Sequence, residues 1–214
     1  IRKGDNVAII GETGSGKTSL AKLFMEFYSP DKGHIYVDGA ELQNFEVQEI
    51  RKAVVYVSQE DFLFTASVRE NLKMGNEEIS DEEMIEISRK MGVHQFVSKM
   101  EREYDSVLEE RGKNLSKGQR QKLSLTRAIL RHPKILILDE ATSNMDSISE
   151  REILNYIKGI RDITLILISH RINVIADSDC IYVLQKGNIV ARGTDEQLKE
   201  QCELYRQLYG EEEK

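Results

Sequence analysis

Short apolar runs alternate with stretches of helical period along the chain, and their order predicts a layered α/β fold. Residues 6–10 (Asn-Val-Ala-Ile-Ile) form an apolar run that ends in glycine, as a buried parallel strand does. Residues 17–28 follow with helical spacing through Leu20, Leu23, Phe24 and Phe27. Pro30-Asp31-Lys32-Gly33 is a turn, 34–37 reads as a strand, Asp38-Gly39 turns again, and 53–57 is a further strand. A strand, a glycine-rich loop and a helix therefore open the chain.

From residue 62 to 131 the character changes to glycine-poor, charged sequence of helical period, at 68–72, 81–91, 93–100 and 117–130. Ser80-Asp81-Glu82-Glu83 has the form of a capping box, with Ser80 as N-cap and Glu83 reaching back. We read 62–131 as a helical subdomain inserted into an α/β core made of 1–61 and 132–214. The core resumes with buried strands at 135–138 and 164–168, separated by a helix at 149–158. Residues 180–184 and 188–191 pattern as a hairpin turning at Lys186-Gly187. A last helix is expected over 195–208, ahead of a fraying acidic tail, Glu211-Glu212-Glu213.

Composition narrows the class. Hydrophobic residues at 40% and charged residues at 31% describe a folded globular domain rather than a disordered chain. The net charge of −7 is a poor footprint for a nucleic-acid backbone, so no nucleic-acid partner is expected. The locally basic stretch 111–131 reads as one solvated helix face and its approach. No apolar run approaches the roughly 18 residues needed to span a bilayer. Cys180 and Cys202 lack motif spacing. Cys180 lies in an apolar strand pattern, which predicts a buried free thiol and a reducing compartment.

The chemistry begins at Gly11-Glu12-Thr13-Gly14-Ser15-Gly16-Lys17-Thr18, which satisfies G-x-x-x-x-G-K-[ST] between a strand and a helix. Glycines let the backbone curl so that successive N–H groups face a phosphate, and the helix N-terminus adds partial positive charge. In this pattern Gly11, Thr13, Gly14, Ser15, Gly16, Lys17, Thr18 and Ser19 form the phosphate cradle for ATP. Lys17 bridges the β- and γ-phosphates and the Thr18 hydroxyl binds Mg²⁺. A bare glycine-rich turn does not explain the lysine and threonine.

The run 135–138 ends in Asp139-Glu140. A carboxylate at a buried strand end can hold Mg²⁺, and its neighbour can orient or deprotonate a water that attacks the γ-phosphate. A charge pair at a helix N-terminus explains the two acids alone about as well. The phosphate loop earlier in the chain favours the functional reading.

Between these motifs, Leu115-Ser116-Lys117-Gly118-Gln119-Arg120-Gln121 resembles the signature sequence of the ABC (ATP-binding cassette) family. Gln59 resembles that family's Q-loop glutamine, Ser143-Asn144-Met145-Asp146 its D-loop, and His170 its switch histidine. Glu110-Arg111-Gly112 resembles the X-loop of exporter-type members, and 62–72 resembles the sequence that follows their Q-loop. The resemblance spans essentially the whole chain. It implies a P-loop NTPase core with a mainly parallel sheet, a small antiparallel β part and an inserted helical subdomain. It also implies a head-to-tail dimer with two ATP molecules sandwiched between subunits.

In such a sandwich Ser116, Gly118 and Gln119 serve the nucleotide held by the opposite subunit's loop. His170 holds the γ-phosphate and aligns the water with Glu140. Gln59 touches Mg²⁺ or that water, and Asp139 and Thr18 hold the metal. The further partner implied is a transmembrane domain, in the same parent chain, at the cytoplasmic face of the cell membrane. Phe62 and Phe64 either receive that domain or pack into the helical subdomain.

Two departures stand out. Lys117 replaces the usual glycine of the signature and Met145 the usual D-loop leucine, the latter a volume-conserving change. The chain also lacks the N-terminal strands and the adenine-stacking aromatic residue expected before Ile1. Two alternatives stay open: a soluble ABC-type ATPase, which would normally carry a coiled-coil insertion or basic extensions, and a regulatory module that holds ATP with little turnover.

Overall fold

The computed structural model describes residues 1–60 and 62–212, so Glu213 of the acidic tail lies outside the described residues. The first elements are β1 (Asn6–Ile10), α1 (Lys17–Phe24), β2 (Tyr36–Val37), β3 (Ala40–Glu41), α2 (Val47–Ala53) and β4 (Val54–Val57). Four helices follow: α3 (Val68–Lys73), α4 (Asp81–Lys90), α5 (His94–Val97) and α6 (Lys117–Leu130). Then come β5 (Ile135–Asp139), α7 (Ser147–Lys158), β6 (Thr164–Ile168) and α8 (Ile172–Ile175). The chain closes with β7 (Cys180–Gln185), β8 (Asn188–Gly193), α9 (Asp195–Gln201) and α10 (Glu203–Glu212). Residues 1–56, 134–140 and those from Asp162 onward form one compact unit. Residues 57–133 and 141–161 form a second.

The first unit is built on a six-stranded sheet in the order β4-β5-β6-β1-β7-β8, with β2 and β3 as a separate antiparallel pair. β1 pairs in parallel with β6 on one side and β7 on the other, and β5 pairs in parallel with β6. The antiparallel β8 closes the edge. Strands β1, β5 and β6 are Val/Ile/Leu runs buried almost throughout, as strands covered on both faces must be. Ala8, Leu136, Ile137 and Ile168 are fully or almost fully buried. Each large aliphatic side chain so placed contributes about 1.5–3 kcal/mol, and truncating Leu136 to alanine would cost about 2–5 kcal/mol.

Register carries the functional consequence. Ile9 faces Ile168, and Ile168 faces Asp139, so the carboxyl ends of β1, β6 and β5 finish in one row. Loops leaving those three strands emerge along the same edge of the sheet, where open α/β sheets bind ligands.

Several predicted elements change length for identifiable reasons. The periodicity of 17–28 continues to Phe27, yet α1 stops at Phe24. Glu26 adopts φ 54°, and Phe27 N–H donates to Lys22 O at 3.0 Å, a Schellman-type end. The terminal helix is two helices parted at Cys202. α2 escapes pattern reading because it buries only Ile50; a capping box between Glu46 and Glu49 starts it. Cys180 is half-buried rather than buried, and Cys202 is the buried thiol; both are free.

In the second unit α6 has the predicted bounds and buries Leu123, Leu125, Ala128, Ile129 and Leu130, packing on α3 and α4. Ser80 caps α4 by accepting from Glu83 N–H, but only that half of the expected box forms. The Glu83 carboxylate is held instead by His132 Nε2 at 2.8 Å. Among the described residues no helix is long and apolar enough to cross a membrane.

Candidate nucleotide site

The loop between β1 and α1 is shaped by close backbone packing. A Cβ at Gly11 would stand 2.1 Å from Leu184 O of β7, so only glycine fits there. Gly16, at φ 104°, turns the chain into α1. Ser15 N–H donates to Glu12 O at 3.1 Å, and Gly187 N–H of the β7–β8 turn donates to Ser15 O at 2.9 Å. The hairpin turn thus props the loop. Thr13, Gly14, Thr18 and Ser19 are exposed. Ser15 is only 4% exposed, and its hydroxyl has no hydrogen-bond partner among the described residues. Buried hydroxyls are normally satisfied, so this one marks a place built for a polar group outside the chain.

Lys17 lies across the loop, its ammonium donating to Gly11 O at 2.6 Å and Glu12 O at 2.9 Å. Burial lowers its pKa, while the charges of Glu140 and Asp139 work in the opposite direction. The loop therefore holds the Lys17 ammonium between two of its own carbonyls.

Asp139 ends β5 and is 7% exposed. Its Oδ2 accepts from Thr18 Oγ1 at 2.8 Å and from the Tyr56 hydroxyl, also at 2.8 Å. Burial, and then the bond to Asp139, push the Tyr56 phenol far above its usual range. Glu140 prolongs the strand pairing by one residue, its N–H donating to Ile168 O at 2.9 Å. It then turns into the left-handed region at φ 51°. That conformation is uncommon for a side chain of this size and costs about 1–3 kcal/mol. It sets the Glu140 carboxylate beside His170, with Oε1 and Nδ1 2.9 Å apart.

The second unit carries the signature. Ser116 caps α6: its Oγ accepts from Gln119 N–H at 3.2 Å, and Gln119 Oε1 accepts from Ser116 N–H at 2.9 Å. A Cβ at Gly118 would stand 3.1 Å from Asn144 O. Gln121, fully buried, reaches the same loop, accepting from Asn144 N–H at 3.0 Å and approaching Ser143 Oγ with Nε2. Ser116, Lys117, Gly118, Asn144 and Asp146 line one open recess. Gln59 is exposed in the bend after β4. Arg111 sits at φ 55° in a short 3₁₀ turn. Phe62 and Phe64, 54% and 41% exposed, meet edge to face rather than packing inside.

The first unit thus brings together Gly11, Ser15, Lys17, Thr18, Asp139, Glu140 and His170. Gln59, Ser116, Gly118 and Gln119 stand in the second. Sequence reasoning missed Tyr56, Gly187 and Gln121. A tyrosine in a buried strand is itself a signal, because its hydroxyl needs a partner.

A family model for ABC transporters matches residues 1–143. The chain is 43% identical over 202 residues to the heterocyst differentiation ATP-binding protein HepA of Nostoc, covering 94% of this chain and 33% of that protein. It is 39% identical over 196 residues to the mitochondrial iron-sulfur clusters transporter ABCB7 of Oryzias latipes, covering 91% and 26%. The solved structure of a bacterial Atm1-family ABC exporter with ATP bound superposes with TM-score 0.94 at 32% identity, over 98% of this chain and 37% of that one. The chain therefore spans roughly a third or less of the length of these relatives.

Proposed function

The chain belongs to the ABC transporter family, and from that premise we propose that it binds and hydrolyses ATP to power an exporter-type membrane transporter. The observation that carries this reading is the assembly of Thr18, Asp139, Glu140 and His170 beside the phosphate loop, at the carboxyl edge of one sheet. The triphosphate lies along the loop, met by its backbone N–H groups, the Ser15 hydroxyl and Lys17. Thr18 Oγ1 and Asp139 offer hard oxygen ligands of the kind Mg²⁺ takes alongside phosphate oxygens. Among the described residues no group of three or more acidic, histidine or cysteine side chains could hold an ion without such help. When bound, Mg²⁺ would supply positive charge to the phosphate oxygens.

Glu140 orients a water in line with the γ-phosphate and takes its proton as the bond to the leaving ADP oxygen breaks. His170, whose Nδ1 lies against the Glu140 carboxylate, holds that geometry beside the γ-phosphate. The segment 62–131 acts as a signature-bearing subdomain, and its Ser116 and Gly118, with Gln119 beside them, complete the nucleotide site of a second nucleotide-binding domain in a head-to-tail dimer. A transmembrane domain, with this chain at its cytoplasmic face, is the remaining partner.

The decisive measurement is ATP turnover of the wild type against Glu140→Gln. We expect turnover to fall by about 10²–10⁴-fold while ATP binding persists. Equal turnover in the two proteins would remove Glu140 from this role.

A further inference from the structure

Tyr56 belongs to no motif of the phosphate site, yet its hydroxyl lies 2.8 Å from Asp139 Oδ2. The same oxygen accepts from Thr18 Oγ1 at 2.8 Å. One donor comes from β4, the strand beside β5, and the other from the first turn of α1. A carboxylate held by a single donor can still rotate about its Cβ–Cγ bond. Two donors from different elements, converging on one oxygen, fix the plane of the group. Neither bond uses Oδ1, so the fixed group presents that oxygen uncommitted by either donor.

We infer that Tyr56 is a positioning residue for the metal-holding carboxylate of Asp139: its hydroxyl sets the orientation in which Asp139 serves the divalent cation of the nucleotide complex. This rests on the metal role proposed above for Asp139 and Thr18. Partners behind a metal-holding side chain commonly alter metal affinity by ten- to a hundredfold when removed. A bond that merely ties β4 to β5 alters stability and leaves metal affinity alone.

Tyr56→Phe separates these roles, since it removes one oxygen and leaves the ring packed. The full chain is titrated with Mn²⁺ in the presence of ADP, with free Mn²⁺ read by electron paramagnetic resonance, and ADP affinity is measured in parallel with EDTA. We expect Mn²⁺ affinity to fall roughly tenfold in Tyr56→Phe with the metal-free ADP affinity unchanged. In an Asp139→Asn background the same change should add little, because the oriented group is already altered. Unchanged Mn²⁺ affinity would overturn the inference, and so would an equal loss of ADP affinity in EDTA. A wild type that binds ADP with no contribution from Mn²⁺ would instead sink the metal role of Asp139 and Thr18 on which the inference stands.

Discussion

Glu140 Oε1 and His170 Nδ1 are 2.9 Å apart, although 30 residues separate them in the chain. The contact exists because β5 and β6 are parallel neighbours in register and Glu140 turns at φ 51° immediately after its strand. Each side chain is therefore held by the other at the edge where the phosphate loop lies. Groups that act as a unit give non-additive losses. His170→Ala should reduce ATP turnover by about 10²-fold or more, and combining it with Glu140→Gln should reduce it little further. Steady-state turnover of the two single variants and the double variant checks this; multiplicative losses would show that the two residues act independently.

Lys17 offers a pH test. Its native pKa is lowered, chiefly by burial, and only the protonated form pairs with phosphate. ATP affinity should be full below that lowered value and fall as pH rises through it, beginning below the ordinary lysine range. Lys17→Arg keeps its charge at all these pH values, so its affinity should stay flat over the same interval. Binding titrations with ATP from neutral to alkaline pH distinguish the two. A wild-type profile as flat as that of the arginine variant would contradict the assignment.

What could be read from the chain alone was what lies close together along it. The phosphate loop is eight consecutive residues, and α6 was bounded correctly because Ser116 and Gln119 close its start within one turn. The sheet was legible as continuous apolar runs at β1, β5 and β6. The bond from Tyr56 to Asp139 spans 83 residues and depends on strand order, which no local pattern encodes. The bond from Gln121 to Asn144 is hidden in the same way, because a glutamine on a helix reads as a solvated position until its neighbours are known. The length of α1 was overestimated because Phe27 keeps the helical period while the backbone has already turned at Glu26.

Gln121 makes its own prediction. Its Oε1 is the acceptor for the Asn144 amide, so Gln121→Leu leaves that N–H unpaired beside an apolar side chain. The loss should be about 1–3 kcal/mol, and melting should drop by about 2–4 °C per kcal/mol in a domain of this size. Hydrogen exchange at Asn144 should quicken more than exchange in the middle of α6. Uniform acceleration across the second unit would mean that Gln121 matters only as general packing.

Gly11 and Gly14 occupy the same loop but resist substitution for different reasons, and alanine at each position separates them. At Gly11 a Cβ meets Leu184 O at 2.1 Å, Ser15 Oγ at 2.8 Å and Leu184 C at 3.1 Å. Leu184 belongs to β7, whose residues 180–183 pair with β1 and whose Leu184 faces Ile189 of β8, so its carbonyl is backbone of a paired strand and retreats only if the strand shifts. Overpacking of this kind costs about 1–3 kcal/mol and more where backbone must shift. At Gly14 nothing lies within 4 Å of a Cβ, and the penalty is the strain of φ +79° alone, about 1–2 kcal/mol. Gly11→Ala should therefore melt several degrees below Gly14→Ala. It should also weaken ATP binding more, because the displacement reaches Ser15 and the hairpin turn whose Gly187 amide props the loop. Equal melting temperatures would mean that β7 yields to the added methyl group, and that the close approach of Gly11 to Leu184 does not hold the loop in shape.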